Sequence, residues 1–211
     1  MLTLDHLAIV APDLAAGVAY VRDGLGIDMP EGGRHREMGT RNHLLRLGEA
    51  LFLEVIAIDP EAAAPPHARW FGLSDPGRVR ADWESGRRLR GFVARTDDLD
   101  RLLGAHGERF GKAARMTRCA LTWRFAVRPD GAWPEDGALP CPMTWGDGPH
   151  PAAAMPDLGC RLAGLTLTHP DPDRIAALYR TLDLADAPAV RAGAFGYRAE
   201  IATPGGLRVL S

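Results

Sequence analysis

Apolar and polar positions along this chain fall into one phrase written three times: a short apolar run, a helix-start signal, then apolar residues at helical spacing. The first copy runs from Leu4 through Asp5, His6, Leu7, Ala8, Ile9 and Val10 to Asp13, and residues 90–98 and 163–171 repeat it. Such self-similarity marks one supersecondary unit used repeatedly. Aligning the copies sets His6 against Gly91 and Gly164, and the ends of the units set Glu54 against Thr144 and Leu210. Any His-and-carboxylate chemistry therefore belongs to the first unit.

Within that unit, residues 4–10 predict a strand with Leu4, His6, Ala8 and Val10 on one face. Asp13 caps a helix whose apolar positions Leu14, Val18, Val21 and Leu25 end at Gly24 and Gly26. Residues 34–47 predict two short strands about a turn at Gly39 and Thr40, and residues 51–58 a strand buried on both faces, apolar except for Glu54. Residues 59–88, interrupted by Pro60, Pro65, Pro66 and Pro76, predict a connection with short helices at 67–71 and 78–84. The second unit reads as a strand near Gly91, a helix at 99–110, strands at 116–121 and 122–127, a Gly/Pro loop at 129–140 and a strand at 141–145. The third reads as a strand at 162–168, a helix at 173–182, and strands near Val190, at 197–202 and at 207–210. The expected organisation is an α+β chain: a first βαβββ module over 1–60, a connection over 61–88, a second module over 89–147, a linker over 148–161 and a third βαβββ-like unit over 162–211.

Composition narrows the classes. A chain of 211 residues buries a sizeable core, and a net charge of −2 gives no electrostatic footprint for nucleic acid or an anionic membrane. Lys112 is the only lysine, so arginine carries almost all of the positive charge. No apolar run approaches a membrane span and no signal segment precedes the first strand, so a soluble, unprocessed protein is expected. Cys119, Cys141 and Cys160 lack metal-type spacing, which fits a reducing, cytoplasmic compartment.

Glu54 is the residue hardest to explain as packing, because a lone carboxylate in an apolar strand needs a cation, a donor or a metal. His6 on the first strand is an available partner, and Arg41 or Arg46 would serve a purely structural pairing. A catalytic metal centre typically uses three protein ligands, for which His35, His43 and His169 are candidates, while Thr144 offers only a hydroxyl. A second cluster, Gly32, Gly33, Arg34, His35 and then Gly39, Thr40, Arg41, Asn42, offers donors and cations to a ligand, or else closes a tight hairpin. Trp123, Trp133 and Trp145 are candidates to line an apolar pocket, or to fill the core. His106 and His150 carry no signal, and nucleophile elbows, phosphate loops and dinucleotide fingerprints are absent from the sequence.

Asp5-His6-Leu7, the string Gly33-Arg34-His35 with Gly39, Thr40 and Asn42, and the stretch from Leu51 through Glu54 to Asp59 and Pro60 together resemble the glyoxalase-like domain family of the vicinal oxygen chelate superfamily, which also holds bleomycin-resistance and dioxygenase proteins. The resemblance is close over 4–60, extends over 89–146 and loosens over the third unit. It implies paired βαβββ modules curled into an open, cup-shaped mixed sheet around a small-molecule ligand, often as a homodimer. It also implies that His6 and Glu54 bind a divalent metal (Zn, Mn, Fe or Ni) that chelates substrate oxygens while a carboxylate moves a proton, as in lyases and isomerases. His35, Thr40, Arg41, Asn42, Thr144 and Trp145 are then the expected substrate-binding residues. Metal-free, ligand-sequestering members of the superfamily form the alternative, and Gly91 and Thr144 depart from the metal-binding pattern of a second module.

Overall fold

The computed structural model describes residues 1–118 and 121–211. Among these, each α-helix opens on an aspartate whose carboxylate accepts a first-turn N–H, the capping that satisfies an otherwise orphaned donor. Asp13 caps α1 (Leu14–Leu25), Asp75 caps α2 (Pro76–Glu84), Asp98 caps α3 (Leu99–Phe110) and Asp171 caps α4 (Pro172–Thr181). The repeated Asp of the sequence phrase is thus a helix-start signal in every copy.

Two strand sets face each other across one sheet. The first holds β1 (Leu2–Val10), β2 (Glu31–His35), β3 (Thr40–Gly48) and β4 (Leu51–Ile58); the second holds β5 (Leu89–Arg95), β6 (Lys112–Arg118), β7 (Leu121–Val127) and β8 (Cys141–Thr144). Their order is β2-β3-β4-β1-β5-β8-β7-β6, symmetric about the antiparallel β1–β5 pair, with β1 parallel to β4 and β5 parallel to β8. The sheet curls until its edges nearly meet, where Glu37 accepts from the Thr117 amide and hydroxyl. This is the expected cup of paired βαβββ modules.

Alternation sorts the side chains. Leu7, Ile9, Leu53, Val55 and Phe92 point outward into a core shared with the helices, and Ala8, Val10, Ile56, Val93 and Met143 point into the cup. The strand around Glu54 is therefore buried on both faces, as its sequence predicts. The predicted helix at 67–71 is only a 3-10 turn, Trp70–Gly72, because Phe71 adopts a left-handed backbone (φ 58) that ends any helix. Its side chain drops into the cup and stacks on Trp133 at 4.5 Å. The predicted strand at 116–121 crosses residues 119 and 120, so that part of it, and Cys119, lie outside the described residues.

The third unit opens with β9 (Arg161–His169) and α4, adds a two-residue β10 (Leu184–Ala185), and continues with β11 (Ala189–Ala192), β12 (Gly196–Thr203) and β13 (Gly206–Leu210). It keeps the chain order of the other units but wires it differently: the sheet runs β11-β9-β12-β13, and β10 leaves it to pair with β1. This sheet backs onto the outer core, where Phe92 meets Tyr179 and Tyr197 edge-on. Among the described residues no helix is long and apolar enough to cross a membrane.

Two buried phenols tie the third unit to the second module. Tyr179 donates to the Ala138 carbonyl at 2.7 Å and Tyr197 to the Gly137 carbonyl at 2.8 Å. Burial pushes both phenols up from their ordinary value, so each remains a donor at neutral pH. Tyr197→Phe leaves a buried carbonyl without its partner and is expected to cost about 1–3 kcal/mol. Urea unfolding of the variant beside wild type measures it.

Candidate functional site

The floor of the cup is built around a bulge in β1. In the β1–β5 ladder Leu4 faces Ala94 and His6 faces Val93, so Asp5 has no partner of its own, and neighbouring side chains no longer point strictly apart. Arg95 stabilises the kink by donating to the Leu4 carbonyl at 2.7 Å. Asp5 is fully buried. Its Oδ1 accepts from His6 Nδ1 at 2.7 Å, and its Oδ2 accepts from Trp145 Nε1 at 2.8 Å and His150 Nε2 at 3.0 Å. Burial alone would raise the Asp5 pKa; the bonds and charges of His150 and His6 outweigh it and hold the carboxyl well below its usual range. An ionised Asp5 makes His6 Nδ1 the protonated nitrogen and leaves Nε2 facing the cup. His150 is oriented the same way, since its Nδ1 accepts from the Ala152 amide at 3.2 Å.

Glu54 lies opposite. Its Oε2 is 3.6 Å from His6 Nε2, and its Oε1 accepts from Asn42 Nδ2 at 2.6 Å. The Asn42 amide cannot be reversed, because its Oδ1 accepts from the Gly33 backbone N–H at 2.9 Å. That approach explains Gly32: a Cβ there would lie 2.3 Å from Asn42 Oδ1. Behind Asn42, His35 Nε2 is 3.5 Å from Nδ2 and His35 Nδ1 meets Thr40 Oγ1 at 3.1 Å. Burial first, then Arg118 and His6, push the His35 imidazole down from 6.5 to about 3, so it is neutral and donates to Thr40. Asp5, His6, Glu54, Asn42, His35 and Thr40 thus form one buried polar chain.

This chain opens on a cavity of about 30 Å³, whose wall also includes Phe52, Trp70, Phe71, Trp123, Phe125, Trp145 and Arg118. Phe52 stacks on the His6 ring at 4.4 Å. Of the residues expected from sequence, His6, Glu54, His35, Asn42 and Trp145 reach the cavity, and Thr40 supports His35 from behind. Arg41 alternates to the other face of β3 from Asn42, and Thr144 lies on the opposite face of β8 from Met143, its hydroxyl accepting from the Gly146 amide at 3.3 Å. His43 bonds the Met29 carbonyl and His169 accepts from the Asp171 amide, so neither joins the site. Asp5, His150, Arg118 and Trp70 do join it without a sequence signal. The adjacency of Asp5 to His6 was on view, but only the bulge turns both inward.

The register also corrects the match of Glu54 to Thr144. Ala8 lies beside Glu54 in the β1–β4 ladder, and Val93 lies beside Cys141 in the β5–β8 ladder. Because His6 pairs with Val93 and Ala8 with Gly91, His6 corresponds to Gly91, as expected, but Glu54 corresponds to Cys141. Neither position answers the first module. A Cβ at Gly91 would lie 2.7 Å from the Trp133 ring, and burial raises the Cys141 thiol far above its ordinary value, keeping it protonated. His6 and Glu54 are two donors where a catalytic metal centre typically needs three, and among the described residues no group of three His, Cys, Asp or Glu is placed to hold an ion. The described residues do not by themselves fit a divalent metal.

Two βαβββ modules paired into one curled, cup-shaped sheet are the architecture of the vicinal oxygen chelate superfamily. The chain belongs to its glyoxalase-like domain family, whose profile matches residues 4–182. A hypothetical protein from Staphylococcus aureus shares the fold at a TM-score of 0.58 and 11% identity, over 95% of this chain and 81% of that one. Methylmalonyl-CoA epimerase from Mycobacterium tuberculosis aligns at 22% identity and a TM-score of 0.42, over 71% of this chain and 91% of that one. A variant of the Streptomyces coelicolor methylmalonyl-CoA epimerase, in complex with 2-nitronate-propionyl-CoA, aligns at 17% identity and a TM-score of 0.44, over 71% of this chain and 99% of that one. No curated protein matches the chain in sequence.

The neutral, buried His35 sets a pH dependence. Its pKa is lower folded than unfolded, so below 6.5 the unfolded chain binds the extra proton and stability falls as pH drops, until the folded value of about 3 is reached. The limiting slope from this group is about 1.4 kcal/mol per pH unit. Asp5, depressed in the folded state, adds its own loss only below its ordinary value of 3.8. Chemical denaturation between these two limits is expected to show a shallower pH slope in His35→Asn than in wild type.

Proposed function

We propose that this glyoxalase-like protein is an enzyme of lyase or isomerase type, in which Glu54 moves a proton on an oxygen-bearing small metabolite while His6 Nε2 holds the substrate oxygen. One observation carries the reading. Each catalytic group has one atom tied to the scaffold and one left for chemistry: Glu54 Oε1 to Asn42 and Oε2 without a hydrogen-bond donor among the described residues, His6 Nδ1 to Asp5 and Nε2 in the cup. Fixed orientation of this kind removes the reorganisation that a mobile base would undergo. The aromatic wall keeps water from the reacting atoms and strengthens every charge interaction inside.

The steps follow from those atoms. The substrate enters with a hydroxyl donating to the lone pair of His6 Nε2, since the proton of this imidazole is on Nδ1. Its acidic C–H faces Glu54 Oε2. The carboxylate takes the proton, the electron pair moves onto the carbonyl beside that carbon, and return of the proton to another face or atom gives the isomer. Among the described residues the second module shapes the wall and supplies no acid or base. A metal-free sequestering protein is the competing reading, supported by the Trp133 ring that lies against Gly91, the counterpart of His6.

Proton NMR in D2O with a panel of aldehydes, ketones, oxo acids and hydroxy acids tests the proposal. Wild type is expected to wash deuterium into the carbon beside an oxygen function, and Glu54→Gln to lose about 10²–10⁴-fold of that rate. Exchange unchanged in Glu54→Gln, or binding without any exchange across the panel, would overturn it, and the second of these outcomes selects sequestration. Metal analysis of untagged wild type, His6→Ala and Glu54→Ala is expected to find no stoichiometric zinc, manganese, iron or nickel. Retention by wild type with loss in both variants would instead establish a metal centre completed from beyond this chain's two donors.

A further inference from the structure

Arg118 is the cation of the cavity wall, and its pairing is incomplete. It reaches across the seam from the end of β6 to the first module, where its Nη1 donates to Asn42 Oδ1 at 3.3 Å. That long bond to a neutral amide is its polar contact among the described residues, whereas Arg34, Arg78, Arg87, Arg90, Arg124 and Arg128 each face a carboxylate. Arg118 is half-buried on this wall, and a guanidinium carries several further N–H donors that a ligand can take up. A second donor in the same wall is also unanswered. Trp70 is buried, and its indole N–H has no acceptor among the described residues.

The backbone is shaped to admit Arg118. A Cβ on Gly33 would lie 2.9 Å from the Arg118 Cδ, so the glycine pair of β2 accommodates the Asn42 amide at one position and the arginine stem at the next. The cavity these groups line is small, about 30 Å³, and open on one side, so it favours a compact headgroup. On the opposite side stand Glu54 and His6.

Resting on the proton-transfer reading, we infer that the substrate is a small carboxylate whose acid group is held by Arg118 and the Trp70 indole N–H, placing its oxygen-bearing carbon toward His6 and Glu54. A planar carboxylate matches the fork of a guanidinium. Its negative charge also directs the acid end away from Glu54 and toward Arg118, which orients the molecule in one sense only.

Tryptophan fluorescence of the whole protein, titrated with acetate, pyruvate and lactate, with the matching amides and with inorganic phosphate, tests the assignment. The carboxylates are expected to bind at least about tenfold more tightly than their amides, the size of one charge-assisted hydrogen bond. Arg118→Met is expected to erase that preference and Arg118→Lys to restore part of it. Trp70→Phe, which keeps the ring and removes the N–H, is expected to weaken the acids several-fold and the amides less. Glu54→Gln is expected to keep acid binding. Equal affinity for acid and amide, no effect of Arg118→Met, preference for phosphate, or no binding by any carboxylate would each overturn the inference. Deuterium exchange confined to uncharged carbonyl compounds would sink the carboxylate assignment and leave the proton-transfer reading standing; carboxylate binding without exchange does the reverse.

Discussion

Asp5 is the constraint around which the cup is arranged. A fully buried carboxylate costs several kcal/mol unless its lone pairs are answered, and here three donors answer it, one from the next residue and two from far along the chain. Trp145 comes from the end of the second module and His150 from the segment before the third unit, 140 and 145 positions from Asp5. Removing either of them leaves a buried charge short of a donor. The same carboxylate fixes the tautomer of His6, so a bulge, the closing of the far side of the cup and the chemistry of an imidazole nitrogen are consequences of a single buried anion.

Electrostatically, the site separates fixed charge from working charge. Asp5 is held ionised by its donors and His35 is held neutral by burial, so neither is a variable near neutral pH. Between them, Asn42 uses its amide N–H on Glu54 and its amide oxygen on Gly33 and Arg118, joining an acid, a backbone and a base through one uncharged group. The polar chain is nearly saturated, and its remaining capacity is concentrated on Glu54 Oε2, His6 Nε2, Arg118 and Trp70. A network with so few open valences favours ligands by the placement of their oxygens more than by their bulk.

The parts of this arrangement that were legible in the sequence are those set by local physics. The Asp-led helix starts follow from orphaned N–H groups, and the strand around Glu54 follows from an apolar run that only a sheet buried on both faces tolerates. His6 and Glu54 stood out because a single carboxylate in such a strand demands a partner. Asp5, His150 and Arg118 did not stand out, since their roles depend on a one-residue bulge and on contacts between residues 140 or more positions apart, or 76 in the case of Arg118 with Asn42. Thr144 was matched to Glu54 by counting along the repeat, whereas hydrogen-bond register, invisible to counting, puts Cys141 there. The third unit reads as another copy in one dimension and is a different sheet in three, because strand order is chosen by packing against the outer core.

The Trp133 ring resting on Gly91 makes the two halves of the cup unequal. An imidazole cannot stand at position 91 while the indole lies where its Cβ would be. Trimming Trp133 alone would open a void beside Phe71 without supplying a donor, so placing a His there takes two coupled changes. Packing, more than the chemistry of either residue, keeps the donors of this cup in one half.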